Sequence, residues 1–151
     1  MGHLSRVIAL FIGLAIFISP AWGGGSLTPK PGSPDRKAIC DAMRAYSRKD
    51  QIRPLPKPLL FKIEFLRVDG DYAGFEGFPI FDDGSAAIPN FMPDIVYTTF
   101  LVRKGTGWQV IADLSRTDVP SASELATMRK QFPRAIPSSV LPEFWRERLR
   151  P

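Results

Sequence analysis

Two residue types that run much of enzyme chemistry are almost missing from this chain: its 151 residues hold one histidine, His3, and one cysteine, Cys40. Histidine is the side chain whose ordinary pKa lies close to neutrality, so a chain that loses His3 with its leader has no conventional Ser/His/Asp or Cys/His nucleophilic site. A single cysteine rules out an intramolecular disulfide and a thiolate zinc cage, which draws four ligands mostly from Cys and His. The chain also lacks a Gly-rich phosphate loop, an internal repeat and a low-complexity tract. No cofactor or metal is therefore expected.

Long apolar runs are scarce as well, with one exception at the N-terminus. MGHLSR is a short positive region, and Val7 to Ser19 is an apolar run of thirteen residues. A helix needs roughly 20 apolar residues to cross a hydrocarbon core of about 30 Å, so this run is too short to span. Pro20 comes next, and Ala21 and Gly23 are small residues at the positions a signal peptidase reads. The pattern predicts a Sec-type signal peptide over residues 1–23, cleaved after Gly23 or after Ala21. An uncleaved membrane anchor fits the length and flanks less well. Beyond it the sequence predicts a flexible segment over 24–32 and one domain over 33–151, with no transmembrane segment.

Loss of the leader removes Arg6 from the twenty Lys and Arg, leaving nineteen against fifteen Asp and Glu. This mild basic balance, with acidic residues interspersed, argues against a nucleic acid as partner. It suits the anionic polymers and lipids of a cell envelope.

The best helix in the chain lies in SPDRKAICDAMRAYSRKD. Ser33 can cap it, Pro34 suits the first helical position, and Asp35 complements the macrodipole. Ile39, Ala42, Met43 and Tyr46 form its apolar stripe at i, i+3, i+4 and i+7. Cys40 borders that stripe and reads as a half-buried small hydrophobe rather than a reactive thiol. Gln51 to Pro58 carries three prolines and reads as an extended connector.

Leu59 to Val68 then alternates, placing Phe61, Ile63 and Phe65 on one face and Lys62 and Glu64 on the other. Asp69-Gly70 is a two-residue hairpin turn. The return strand sets Ala73, Phe75 and Gly77 against Tyr72, Gly74 and Glu76, and glycines inside a strand predict bending or close approach of another backbone. A second hairpin comes after it, from Ile95 to Arg103 and from Trp108 to Ser115, with Trp108, Val110, Ala112 and Leu114 expected on one face.

Between the hairpins, Phe78 to Asp94 is irregular, with three prolines and several aromatic residues. Asp82-Asp83-Gly84 inside it lacks the alternating oxygen ligands of an EF-hand loop and reads as a plain turn. After the second hairpin, Ser121 and Glu124 stand in capping-box spacing before Leu125, Met128 and Phe132, which predicts a short helix. At the C-terminus Leu141, Phe144 and Trp145 precede Arg146, Arg148 and Arg150. They either fold onto the sheet with the arginines solvated or form a docking tail for an anionic surface.

The RKAICDAMR helix, the LRVDGDYAGFEG hairpin and the KGTGWQVI turn together resemble the cystatin-like α+β architecture of the NTF2-like superfamily. The helix, that hairpin and GWQVIADLSRTDV are more closely similar to a group of small, secreted, uncharacterised bacterial proteins. The resemblance spans roughly Pro34 to Val119 and implies an amphipathic helix packed on a curved antiparallel sheet of about four strands, with short C-terminal helices added. Enzymes of that superfamily often pair an Asp with a His in a deep pocket, and without its leader this chain has no His to offer there.

Two functions remain. The first is a periplasmic or secreted binding module without catalysis, engaging an envelope protein, an anionic envelope component or a small apolar ligand, with a dimer left open. Its binding residues would be Tyr72, Phe78, Phe81, Phe91, Tyr97 and Asp113, from the sheet face and the aromatic loop. The second is a small hydrolase or isomerase using carboxylate and tyrosine groups, drawn from Glu64, Glu76, Asp113, Tyr72 and Tyr97.

The leader reading has a direct test. Intact mass of the exported protein should correspond to a chain beginning just after Gly23 or Ala21. A mass that retains Met1 to Gly23 overturns it.

Overall fold

A computed structural model describes residues 25–50, 57–87, 96–115 and 118–150. The expected leader, most of the proline-rich connector and Phe91 lie outside these residues. The fold is α+β: a helix packed on a four-stranded antiparallel sheet, with short C-terminal helices after it.

Helix α1, Pro34–Ser47, begins where the sequence places its cap, with the Ser33 hydroxyl accepting from the Arg36 amide at 3.4 Å and Pro34 in the first turn. Ile39 and Met43 are fully buried, and Ala42 and Tyr46 pack beside them. The stripe therefore meets the sheet as its spacing requires. Cys40 is half-buried at its border. Burial pushes the Cys40 thiol up, and the charges of Arg44 and Arg36 pull it part of the way back.

The sheet is a meander of β1 (Leu60–Asp69), β2 (Tyr72–Ile80), β3 (Tyr97–Lys104) and β4 (Gly107–Asp113), in that spatial order. Gly70 turns the first hairpin at φ +56°, a conformation that side chains rarely adopt. Leu27 adds an antiparallel bridge outside β1, donating to the Val68 carbonyl at 2.9 Å and accepting from the Val68 amide at 2.8 Å. No helix among the described residues is long and apolar enough to cross a membrane.

Both faces of this sheet are apolar, and the strand alternation is not the simple one the sequence predicts. A bulge at Glu64 shifts the β1 register, so Phe61 and Ile63 share the α1 face with Leu66 and Val68 while Phe65 turns to the other face. A second bulge, at Ile111, splits β4 in the same way. Trp108 and Val110 pack under α1, whereas Ala112 and Leu114 join the core on the far side. Each bulge puts two residues opposite one and reverses the inside-outside sense of the strand beyond it.

The α1 core contains Phe75, Tyr97, Leu101 and Trp108, with the Phe61 ring edge-on to Phe75 at 5.3 Å. Polar ties hold the helix in register. Arg44 donates to the Leu59 carbonyl at 2.6 Å, and the Thr99 hydroxyl donates to the Met43 sulfur at 3.0 Å. Arg103 lies 4.4 Å over the Trp108 ring and pairs with Asp35 at 3.0 Å.

The second face is closed by a C-terminal cap. It comprises α2 (Ala122–Gln131), a 3-10 turn (Ser138–Val140) and α3 (Glu143–Leu149). The capping box of Ser121 and Glu124 is formed as predicted, with the Ser121 amide donating to the Glu124 carboxylate at 2.8 Å. Ile136, Val140, Leu141, Trp145 and Leu149 bury themselves with Phe100, Leu114 and Phe132. Of the two fates open to the C-terminus, Leu141 and Trp145 take the inward one. Full burial of a side chain such as Phe75 or Phe100 stabilises by roughly 1.5–3 kcal/mol, so the two cores contribute on a comparable scale.

Gly74 marks where the cap meets the sheet. A Cβ there would stand 1.8 Å from the Val140 carbonyl oxygen and 3.3 Å from the Phe65 ring. The side chain is absent because another backbone occupies its place. Gly74→Ala should push the 3-10 turn off the sheet, costing about 3 kcal/mol as overpacking against an unyielding backbone group. For a domain of this size that lowers Tm by about 10 °C. A melting temperature within a degree or two of the parent would show that the cap is not seated on Gly74.

Candidate functional site

The cap covers the second face over Tyr72, Gly74, Phe100, Ala112 and Leu114. Further along the same face lie Lys62 and Phe65 of β1, Glu76 and Phe78 of β2, and Thr98 of β3. The backbone register aligns them: Lys62 stands opposite Phe78, Phe65 opposite Glu76, and Glu76 opposite Thr98. The bulge at Glu64 brings Phe65 to this face and sets Glu64 beside it.

Glu76 is the notable group here. Its carboxylate is half-buried and accepts from the Thr98 hydroxyl at 3.0 Å. Burial pushes the Glu76 carboxyl up, the bond from Thr98 pulls it part of the way down, and the charge of Glu64 pushes it up again. Glu64 is tied to Lys62 at 2.9 Å, and the same ammonium lies 5.9 Å from the centre of the Phe78 ring. The result is a sheet surface with one reluctant carboxylate, one paired carboxylate, an ammonium and two aromatic rings.

Phe81 continues this end of the sheet into the loop. Its carbonyl accepts from the Gly84 amide at 3.0 Å, closing the turn over Asp82 and Asp83. Lys57 crosses to that turn, 2.7 Å from Asp83 and 3.5 Å from Asp82. Hydrogen bonds from Lys57 and Ser85 hold the Asp83 carboxyl well below the usual range. The aspartates are thus occupied with shaping a turn. Among the described residues no three His, Cys, Asp or Glu side chains gather as a metal site.

The six residues expected to bind do not form one patch. Phe78 stands near the end of β2 and Phe81 just past it, both half-buried. Tyr72 is six residues earlier on the same face, about 20 Å away at the rise of a strand, and packs against the cap. Tyr97 is 1% exposed in the α1 core, edge-on to Phe61 at 6.2 Å. Asp113 is exposed at the end of β4 on the α1 side, where it accepts from the Tyr46 hydroxyl at 2.7 Å and the Ser115 amide at 2.8 Å. It points into no enclosed cavity. Phe91 is outside the described residues.

Sequence reasoning placed Glu76 among acid-base candidates but showed nothing of its depth. That depth comes from Thr98 across the sheet and from the bulge that moves Phe65, neither of which local alternation reveals. Comparison with known protein families, with curated proteins and with solved structures finds no match for this chain.

The raised carboxyl has a stability consequence. The folded chain keeps the Glu76 proton to higher pH than the unfolded chain, so stability falls as pH rises between the two values and the cost persists above them. Glu76→Gln removes that cost. The variant should melt above the parent at pH 7, with the gain vanishing below about pH 4, where the parent carboxyl is protonated in both states. A gain of the same size at both pH values, or a loss at pH 7, contradicts a carboxylate ionised against burial.

Proposed function

We propose that this chain is an exported binding module of the cell envelope, without catalysis, working in the periplasm or outside the cell. The observation that carries the reading is the aromatic end of the second sheet face, where Phe65 and Phe78 lie on adjacent strands, with Phe81 just past the end of β2. Aromatic groups on a rigid sheet, with one ammonium and one half-buried carboxylate among them, suit recognition of an envelope protein segment or a small apolar ligand. An anionic envelope component is the further partner class, supported by the basic balance of the chain. The NTF2-like, cystatin-like assignment is supported by the order of one amphipathic helix and then an antiparallel meander.

A second reading, a carboxylate hydrolase or isomerase, draws on the pair Glu76 and Glu64. Burial pushes the Glu76 carboxyl up, as an acid catalyst requires, and Glu64 beside it is paired with Lys62. Against it stand the absence of histidine after the leader and the engagement of Asp113 by Tyr46 and Ser115.

The two readings part on mutation. Phe78→Ser with Phe81→Ser should cut capture of components from a detergent extract of the envelope by about tenfold, as expected when two aromatic contacts are lost, with far-UV circular dichroism unchanged. Asp113→Asn should leave capture as it was. If Glu76→Gln instead abolishes a turnover found by substrate screening while the double Phe variant retains it, the hydrolase reading replaces the binding module.

A further inference from the structure

The ion pairs of this protein gather around the sheet and α1. Around the sheet and α1, five basic groups are matched: Arg44 and Lys37 with Asp41, Arg103 with Asp35, Lys57 with Asp83, and Lys62 with Glu64. On the cap the pattern stops. Among the described residues no ion pair reaches Arg129, Arg134, Arg148 or Arg150.

Backbone bonds bring two of these guanidinium groups, those of Arg129 and Arg150, to the backbone of Arg148 and Arg134 at the junction of α2 and α3. Arg129 donates through Nε to the carbonyl of Arg148, and Arg150 donates to the carbonyls of Pro133, Arg134 and Ile136 at 3.1–3.2 Å. Both keep further donors, because a guanidinium carries five. The Arg148 guanidinium lies 3.6 Å from the centre of the Phe144 ring, and that ring is 37% exposed. Phe144 and Arg148 are four residues apart and share one flank of α3, whereas Glu143 and Glu147 share the flank about 100° further round. A cationic cluster is thus edged by an aromatic ring.

We propose that this cap docks the protein onto a bilayer of anionic phospholipid, with the guanidinium groups in the headgroup layer and Phe144 at its apolar boundary. Four or more Lys and Arg displayed together on a helical surface bind anionic lipid by charge, without a shaped pocket. An Arg over an exposed ring can keep its charge in the headgroups while the ring sits deeper. An acidic protein partner would match the charges equally well, but gives no role to the exposed Phe144 flank. The inference rests on the envelope location proposed above and uses a surface separate from the aromatic end of the sheet.

Flotation of the full chain with vesicles of phosphatidylglycerol and phosphatidylcholine in equal parts, against phosphatidylcholine alone, tests it. The apolar N-terminal run, where retained, contributes to both lipids, so the difference between them isolates the cap. The parent should prefer the anionic vesicles, and Arg134→Glu with Arg148→Glu should weaken that preference about tenfold or more. Arg134→Lys with Arg148→Lys should keep it, since a lipid surface reads charge rather than fork geometry. Melting curves establish that the variants are folded. No lipid preference in the parent, a preference untouched by the Glu variant, loss in the Lys variant, or release from vesicles by soluble polyglutamate but not by salt would each overturn the proposal. Loss of lipid preference with capture through Phe78 and Phe81 intact removes this docking alone and leaves the binding module standing.

Discussion

A four-stranded sheet with two apolar faces has to be covered twice, and the closest approach of the second covering is a backbone contact. The Val140 carbonyl sits where a Gly74 side chain would be, which lets the 3-10 turn approach the sheet closely enough for Val140 and Leu141 to bury completely. Phe100, Leu114 and Phe132 would otherwise lose their partners from the cap. The cost of leaving several such side chains in water exceeds a small domain's net stability. The short helices at the C-terminus are therefore structural. Their own sequence forms only ten- and seven-residue helices, below the length at which isolated helices persist in water.

The same arrangement determines what remains for function. α1 spends the interior of the first face on packing, which is why Tyr97 lies in the core and Asp113 is engaged by a helix tyrosine. The cap spends half of the second face. On the sheet the accessible chemistry is then the strip beyond it, where Glu76 sits under partial burial with Phe65 and Phe78, and the outer surface of the cap adds another. Each carries a different kind of charge environment. The strip balances Lys62 against Glu64, while the cap leaves its arginines to solvent and to backbone carbonyls.

Much of this was readable from local pattern. The Ser33 cap, the Ile39 and Met43 stripe, the Asp69-Gly70 hairpin and the Ser121 capping box all arise from residues within one turn or one hairpin of each other. The face assignments of Phe65, Ala112 and Leu114 were not readable in that way, because a bulge changes the count by one without leaving a mark in hydrophobic periodicity. Glycine in β2 signalled a close approach, but the approaching group lies 66 residues later and could not be named from sequence. The candidate site suffered most for the same reason. Tyr72, Phe78, Tyr97 and Asp113 share a composition of aromatic and acidic residues, yet register sends them to four different surroundings.

The dependence of Gly74 on Val140 also sets an order in time. A chain made from its N-terminus at about 5–20 residues per second finishes β4 at Asp113 and needs roughly two to six seconds more to deliver Trp145. Through that interval the sheet can close on α1 while Phe100 and Leu114 are still bare on the other side. The unfinished molecule is a one-sided sandwich with a sticky back, the state in which β-proteins aggregate or are held by chaperones. Any truncation that removes the final dozen residues would make that passing state permanent.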